Sequence, residues 1–274
     1  MAREPLEDHD ARMRQLVLVG ALLAATTAAV PCHALVGARA KAPPSKSIGS
    51  PNEGHLEGGS RIEGSRAMRI VGANRWGLPE LVGLLDRAAK KVAETYPGSV
   101  MTVGDLSKKG GGDIGGHHSH ESGRDADVGF YLVDGKGKQV LAPRFAVIDE
   151  EGRARGMGKT RFDDARNWAL VESLVMDPRA RVLQVFVANH LRTRLLEYAA
   201  REGASPRVRD RAAELMLQPH HALPHDNHFH VRVACPKSER DCVDYATKER
   251  RSVRRVARVT RPAGSSKATA TKKR

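Results

Sequence analysis

Two clusters of histidine and acidic residues, about a hundred positions apart, constrain this chain more than any other feature. The first reads Gly116-His117-His118-Ser119-His120-Glu121-Ser122-Gly123-Arg124-Asp125-Ala126-Asp127, and the second reads His225-Asp226-Asn227-His228-Phe229-His230. Together they offer imidazole and carboxylate ligands for one divalent ion, zinc by the chemistry of the set, with histidines to spare for proton transfer. A hydrolytic zinc site takes three such ligands and keeps a position open for water. If both clusters serve one ion, the fold must bring them together. His228 and His230 are two apart, so on a strand they point the same way, and one can bind metal while the other faces water or substrate. His120 ends a glycine-rich loop (Lys109–Gly116), and Asp127 lies where the next strand begins. The helical His-Glu-x-x-His arrangement is absent, because Ser122-Gly123 follows His120-Glu121, so the ligands must come from loops and strands. Either cluster alone is a weak signal, since histidine-rich stretches are often surface decoration or opportunistic metal sites. Two in one chain favour a secreted metallohydrolase.

Export is expected from the N-terminus. Leu16–Val30 is largely apolar and follows Arg12 and Arg14. Its fifteen residues suit a signal-peptide core and are short for a membrane span, so the chain does not read as an integral membrane protein. Translation could start at Met1 or Met13, and cleavage after Ala34 or Ala40 fits the small-residue rule. Of three cysteines, Cys32 falls in or next to the segment expected to be removed, while Cys235 and Cys242 are close enough to bridge, as an oxidising compartment favours. The formal charge is +14, of which nine positive residues lie in Arg251–Arg274, leaving about +5 for the rest. Such a block reads as a solvated arm. For an exported protein its expected partners are anionic envelope polymers, and no specific nucleic acid.

The expected organisation is a signal peptide over 1–34, a disordered linker over 35–67, an ordered domain over 68–247 and a disordered basic tail over 248–274. Pro79–Tyr96 has helical spacing of Leu81, Leu84, Leu85, Ala88, Ala89 and Val92, with Pro79 in the first turn and Pro97-Gly98 as the stop. Helices are also predicted over Phe162–Met176, over Leu191–Arg201 and from Pro206, capped by Ser205, to Leu217. Strands are predicted over Ser99–Val103, Asp127–Val133, Arg181–Ala188 and His228–Val233. Strands and helices mix without βαβ repetition, which predicts an α+β domain with a small, mainly antiparallel sheet flanked by helices.

Beyond spacing, the chain resembles a known family. Val103-Gly104-Asp105-Leu106-Ser107, the glycine loop, and Gly116-His117-x-Ser119-His120-x-x-Gly123-x-Asp125-x-Asp127 look like the penicillin-insensitive murein endopeptidases, of the LAS group of peptidoglycan metallopeptidases. So do His225-x-x-His228-x-His230-Val231-Arg232, Cys235-Pro236, Cys242 and the upstream Trp76-Gly77-Leu78-Pro79-Glu80-Leu81-Val82. The resemblance runs from about Arg69 to Asp244. It implies an LAS-type fold, with Zn2+ held by His120, Asp127 and His230. His228 would sit beside the reactive water with His225 as a further active-site histidine. It puts His117 at the rim, as a candidate ligand for a second or adventitious ion, and makes Asp125 an orienting partner of the ligands. His118 receives no role, and Ser119 and Gly123 are structural. The implied activity is periplasmic hydrolysis of D-Ala–meso-diaminopimelate crosslinks in peptidoglycan, insensitive to penicillin. The alternatives are a D,D- or L,D-carboxypeptidase or dipeptidase of the same zinc group, and a wall- or metal-binding protein without turnover.

Overall fold

The computed structural model describes residues 44–219 and 222–245. The expected signal peptide, its cleavage sites and the basic tail lie outside these residues. Five strands precede the first helix: β1 (Lys46–Ser50), β2 (Glu53–Glu57), β3 (Ser60–Arg61), β4 (Met68–Ile70) and β5 (Trp76–Gly77). Then come α1 (Pro79–Thr95), β6 (Met101–Val103), β7 (Asp125–Gly129), β8 (Leu132–Val133), β9 (Gln139–Val140) and β10 (Arg161–Phe162). The remainder is α2 (Asp164–Val175), β11 (Val182–Phe186), α3 (Asn189–Arg201), α4 (Pro206–Leu215), β12 (Met216–Leu217) and β13 (His228–Val233). The architecture is α+β.

Six strands form the principal sheet, in the order β12-β11-β13-β7-β6-β4. The outer pairs β11–β12 and β4–β6 are parallel, and the pairs β11–β13, β13–β7 and β7–β6 are antiparallel. At its centre His230 pairs with Asp127 and Arg232 with Asp125. Strand alternation then separates two chemistries. Ala126, Val128, Phe229, Val231 and Val233 enter a core shared with Leu81, Leu84, Leu85, Leu170, Val171 and Leu174 of the helices. Asp125, Asp127, His228, His230 and Arg232 face the other way. Two helices, α2 and α4, begin at side-chain caps: Asp163 accepts from the Arg166 amide at 3.0 Å, and Ser205 from the Val208 amide at 3.4 Å.

Two expectations need correction. Asp127–Val133 is not one strand: β7 starts two residues earlier and ends at Gly129, and β8 joins a different sheet, with β9 and β10. More importantly, order does not begin near Met68, and the described part of the expected linker is structured. β1 and β2 pair over Lys46↔Glu57 to Ser50↔Glu53. The hairpin is then sewn to distant segments. Gly49 exchanges backbone hydrogen bonds with Asp241 and Val243, at 2.9 Å each, beside the Cys235–Cys242 disulfide. Leu56 donates its amide to Gly110, Glu121 donates to Pro51, and the Glu121 carboxylate accepts from the Gly54 amide at 3.0 Å. Backbone groups do most of this work, which is why a Gly-, Ser- and charge-rich segment without hydrophobic periodicity can be ordered. Its principal apolar anchor is Leu56, 2% exposed. Gly123, at φ +76°, leaves room for it, since a Cβ there would meet Leu56 Cδ1 at 2.6 Å. Leu56→Ala is therefore expected to cost roughly 2–5 kcal/mol in a denaturant titration, whereas a linker residue would cost nothing measurable.

Candidate metal centre

The chain between β6 and β7 carries the first cluster back over the face of the sheet. His120 is fully buried and has φ +75°, in the left-handed region where a non-glycine residue is held by its surroundings. Those surroundings are specific. The Ser107 hydroxyl donates to the His120 carbonyl, the His120 amide donates to Asp125 Oδ2 at 3.2 Å, and His120 Nδ1 donates to the Leu106 carbonyl at 3.0 Å. In the neutral ring the last contact puts the proton on Nδ1, and Nε2 is aimed at Asp127.

Asp127, 3% exposed, is the point on which the clusters converge. Its Oδ1 lies 3.2 Å from His228 Nε2, 3.3 Å from His120 Nε2 and 3.5 Å from His230 Nδ1, and its Oδ2 is 3.6 Å from His117 Nδ1. Donor atoms of His117, His120 and Asp127 all fall within 4.8 Å of one another. Four of the histidines singled out in the sequence thus surround one carboxylate, and His117, placed at the rim by resemblance, lies within the cluster. His225 packs against His228 and His230, with ring centroids 5.0 and 5.5 Å apart. His118 is exposed, and its carbonyl accepts from Asn52. Ser119 is buried.

His120 Nε2 and Asp127 Oδ1 are buried and make no hydrogen bond. Two orphaned polar atoms facing each other in the interior carry a desolvation cost that a cation between them removes. The donor set of imidazoles and a carboxylate therefore fits a divalent metal. Burial alone would raise the Asp127 carboxyl, but the surrounding imidazoles, His120 foremost, hold it well below the usual carboxylate range. Burial pushes His117 and His230 down, toward the neutral form that binds metal.

Asp125 lies one step further out. It is fully buried and accepts from Arg232 Nε at 2.6 Å and from His230 Nε2 at 3.0 Å, both at Oδ1. The second contact leaves His230 Nδ1 to face Asp127. Sequence reasoning did not single out Asp105, whose Oδ2 lies 3.7 Å from His117 Nε2 while its Oδ1 accepts from the Asn74 amide at 2.8 Å. It also missed other residues that line the cleft, about 620 Å³, over the cluster: Asn52, Val147, Phe186, Leu223 and Pro224. Apart from Phe186, which ends β11, these are loop residues without periodicity, and only their position beside the histidines marks them.

Burial would raise the Asp125 carboxyl, but Arg232 first, then His230, bring it well below its ordinary value. Its contribution to stability is therefore complete above the unfolded carboxyl pKa of about 3.9 and disappears as pH falls through the lower folded value. Arg232→Met, which leaves a buried carboxylate without its guanidinium, is expected to cost about 3–5 kcal/mol at neutral pH. The gap from the parent should narrow below about pH 4, as followed by denaturant midpoints across pH.

A family model described as penicillin-insensitive murein endopeptidase matches residues 47–252. The chain is also similar to proteins of that name from two bacteria. It is 27% identical to the Haemophilus influenzae protein over 214 residues, covering 73% of this chain and 67% of the relative. It is 26% identical to the protein of Escherichia coli O1:K1 / APEC over 209 residues, covering 73% and 70%. The matched span takes in the N-terminal hairpin as well as both histidine clusters. With its fold, its metal-capable cluster and three-quarters of its length in agreement, the chain belongs to the penicillin-insensitive murein endopeptidase family and is a peptidase.

Proposed function

We propose that the protein is a zinc-dependent endopeptidase of the periplasm that hydrolyses D-Ala–meso-diaminopimelate crosslinks in peptidoglycan. The observation that carries this reading is the buried Asp127 carboxylate ringed by imidazole nitrogens at the floor of an open cleft. His120 through Nε2, Asp127 through Oδ1 and His230 through Nδ1 would hold the metal, with His117 Nδ1 adjacent as a further donor. Zinc at such a site supplies Lewis acidity, which polarises a scissile carbonyl and lowers the pKa of water.

The chain's own residues do the rest. His228 Nδ1 lies 2.6 Å from Asn227 Oδ1 and donates to it, which leaves the Nε2 lone pair in the cleft to accept a proton from the attacking water. His225 is driven down to about 3 by burial and by the neighbouring His230 and His228, so it stands beside this base as a neutral imidazole across the physiological range. The apolar wall of Val147, Phe186, Leu223 and Pro224 suits a stem peptide of alanine and an aliphatic diamino acid. No serine nucleophile is used: among the described residues lining the cleft Ser119 is the one serine, and it is buried. The basic tail would add affinity for anionic envelope polymers without taking part in the chemistry.

Purified protein is expected to carry about one zinc per chain and to convert crosslinked muropeptide dimers to monomers, read by mass spectrometry. Chelator should abolish this conversion and penicillin should leave it unchanged. His120→Ala and His230→Ala should lose metal and activity together. His228→Ala should keep its metal while turnover falls by about 10²–10⁴-fold. Trimming of monomer termini with dimers left intact would instead identify a carboxypeptidase. Zinc binding without any cleavage would identify a binding protein.

A further inference from the structure

We propose that Asn227 and Phe145 are positioning residues for His228, the first fixing which imidazole nitrogen carries the proton and the second fixing the plane of the ring. The inference rests on the assignment of His228 as the proton acceptor. An imidazole needs both constraints, because its terminal torsion is broad and a half-turn exchanges nitrogen for carbon at the ring edges.

Asn227 supplies the first constraint through the 2.6 Å contact from His228 Nδ1 to its Oδ1. Phe145 supplies the second. Its ring lies against that of His228 with centroids 5.0 Å apart and planes 23° from parallel, an offset stack. The sheet is built to admit this ring. Gly129 on β7 is the residue paired with His228 on β13. A Cβ at Gly129 would stand 2.8 Å from Phe145 Cε1, and one at Gly104 would stand 2.7 Å from Phe145 Cζ. Two side-chain positions are thus left empty where Phe145 lies. The segment that carries it is tied to the loop before His228, the Ile148 amide donating to the Asp226 carbonyl at 2.8 Å, and to α3, His190 Nε2 donating to the Ile148 carbonyl at 3.1 Å. Ring and amide therefore meet His228 from two segments that are themselves joined. Neither residue is among the metal donors, so their effect falls on proton transfer and leaves metal binding alone.

The test compares zinc-loaded parent, Asn227→Ala, Asn227→Asp, Phe145→Ala, Phe145→Leu, Phe145→Tyr and His228→Ala. Zinc content and melting temperature are measured for each, together with kcat and KM on muropeptide dimers and long-range 1H–15N correlations of the histidine rings. In the parent, His228 is expected to carry its proton on Nδ1. Asn227→Ala should move the proton toward Nε2, and Asn227→Asp should restore it to Nδ1. Phe145→Ala and Phe145→Leu should lower kcat about 10- to 100-fold with KM and zinc content unchanged. Phe145→Tyr should recover most of the loss, because it keeps a flat ring that Leu, although apolar, lacks. A parent protonated on Nε2, or Asn227→Ala and Phe145→Leu enzymes within about two-fold of parent kcat, would overturn the proposal. If His228→Ala abolishes turnover while those variants keep it, the positioning role alone falls. If His228→Ala itself keeps turnover, the assignment of the proton acceptor falls first and the positioning role with it.

Discussion

Two carboxylates on one buried strand set the terms for everything around them. Asp125 and Asp127 are two apart on β7, so both leave the same face of the sheet, and both are almost or wholly inaccessible. A charge in such a place is tolerable only when it is compensated and hydrogen-bonded. The two are compensated differently. Asp125 is matched within the chain by Arg232, its register partner on β13. Asp127 is faced by the imidazole nitrogens of His120, His228 and His230, a donor set that fits a cation. The β7–β13 register therefore does more than align a sheet. It sets one carboxylate against a guanidinium and the other against imidazoles.

Around that pair, each histidine's orientation is decided by the nitrogen that faces away from the centre. His120 spends Nδ1 on the Leu106 carbonyl, His230 spends Nε2 on Asp125, and His228 spends Nδ1 on Asn227. The inward-facing nitrogens follow by elimination, and they differ: Nε2 for His120 and His228, Nδ1 for His230. A site assembled this way depends on partners that are not ligands, and those partners lie on the loop after β6, on β7 and on the loop before β13.

How much of this could be read from the chain depended on the kind of force involved. Helix α1 was legible because six apolar residues at helical spacing lie between a proline and a Pro-Gly stop, and it spans Pro79–Thr95. Strand β13 was legible because its alternation is strict. The convergence of the two clusters followed from chemistry, since few arrangements would otherwise justify two sets of imidazoles and carboxylates. The hairpin of β1 and β2 was not legible. It is held by hydrogen bonds of its own backbone groups to residues roughly 50 to 190 positions away, and such bonds leave no periodicity in the segment's side chains. Phe145 was missed for a related reason: its place depends on two glycines that open space, and an empty position carries no pattern until a neighbour fills it.

The sheet's connectivity also fixes when the site can exist. β13 is the last strand of the described chain, yet it sits at the middle of the principal sheet, between β11 and β7. His230 and Arg232 therefore reach Asp127 and Asp125 only after every other strand of that sheet has been made. Until then Asp125 lacks the Arg232 guanidinium and Asp127 lacks the imidazoles of His228 and His230, and long-range pairing of this kind is the slow part of folding. A growing or truncated chain that ends before residue 228 lacks both His228 and His230. Hydrolytic competence accordingly waits on β13, and a wall-degrading activity cannot precede the synthesis of that strand.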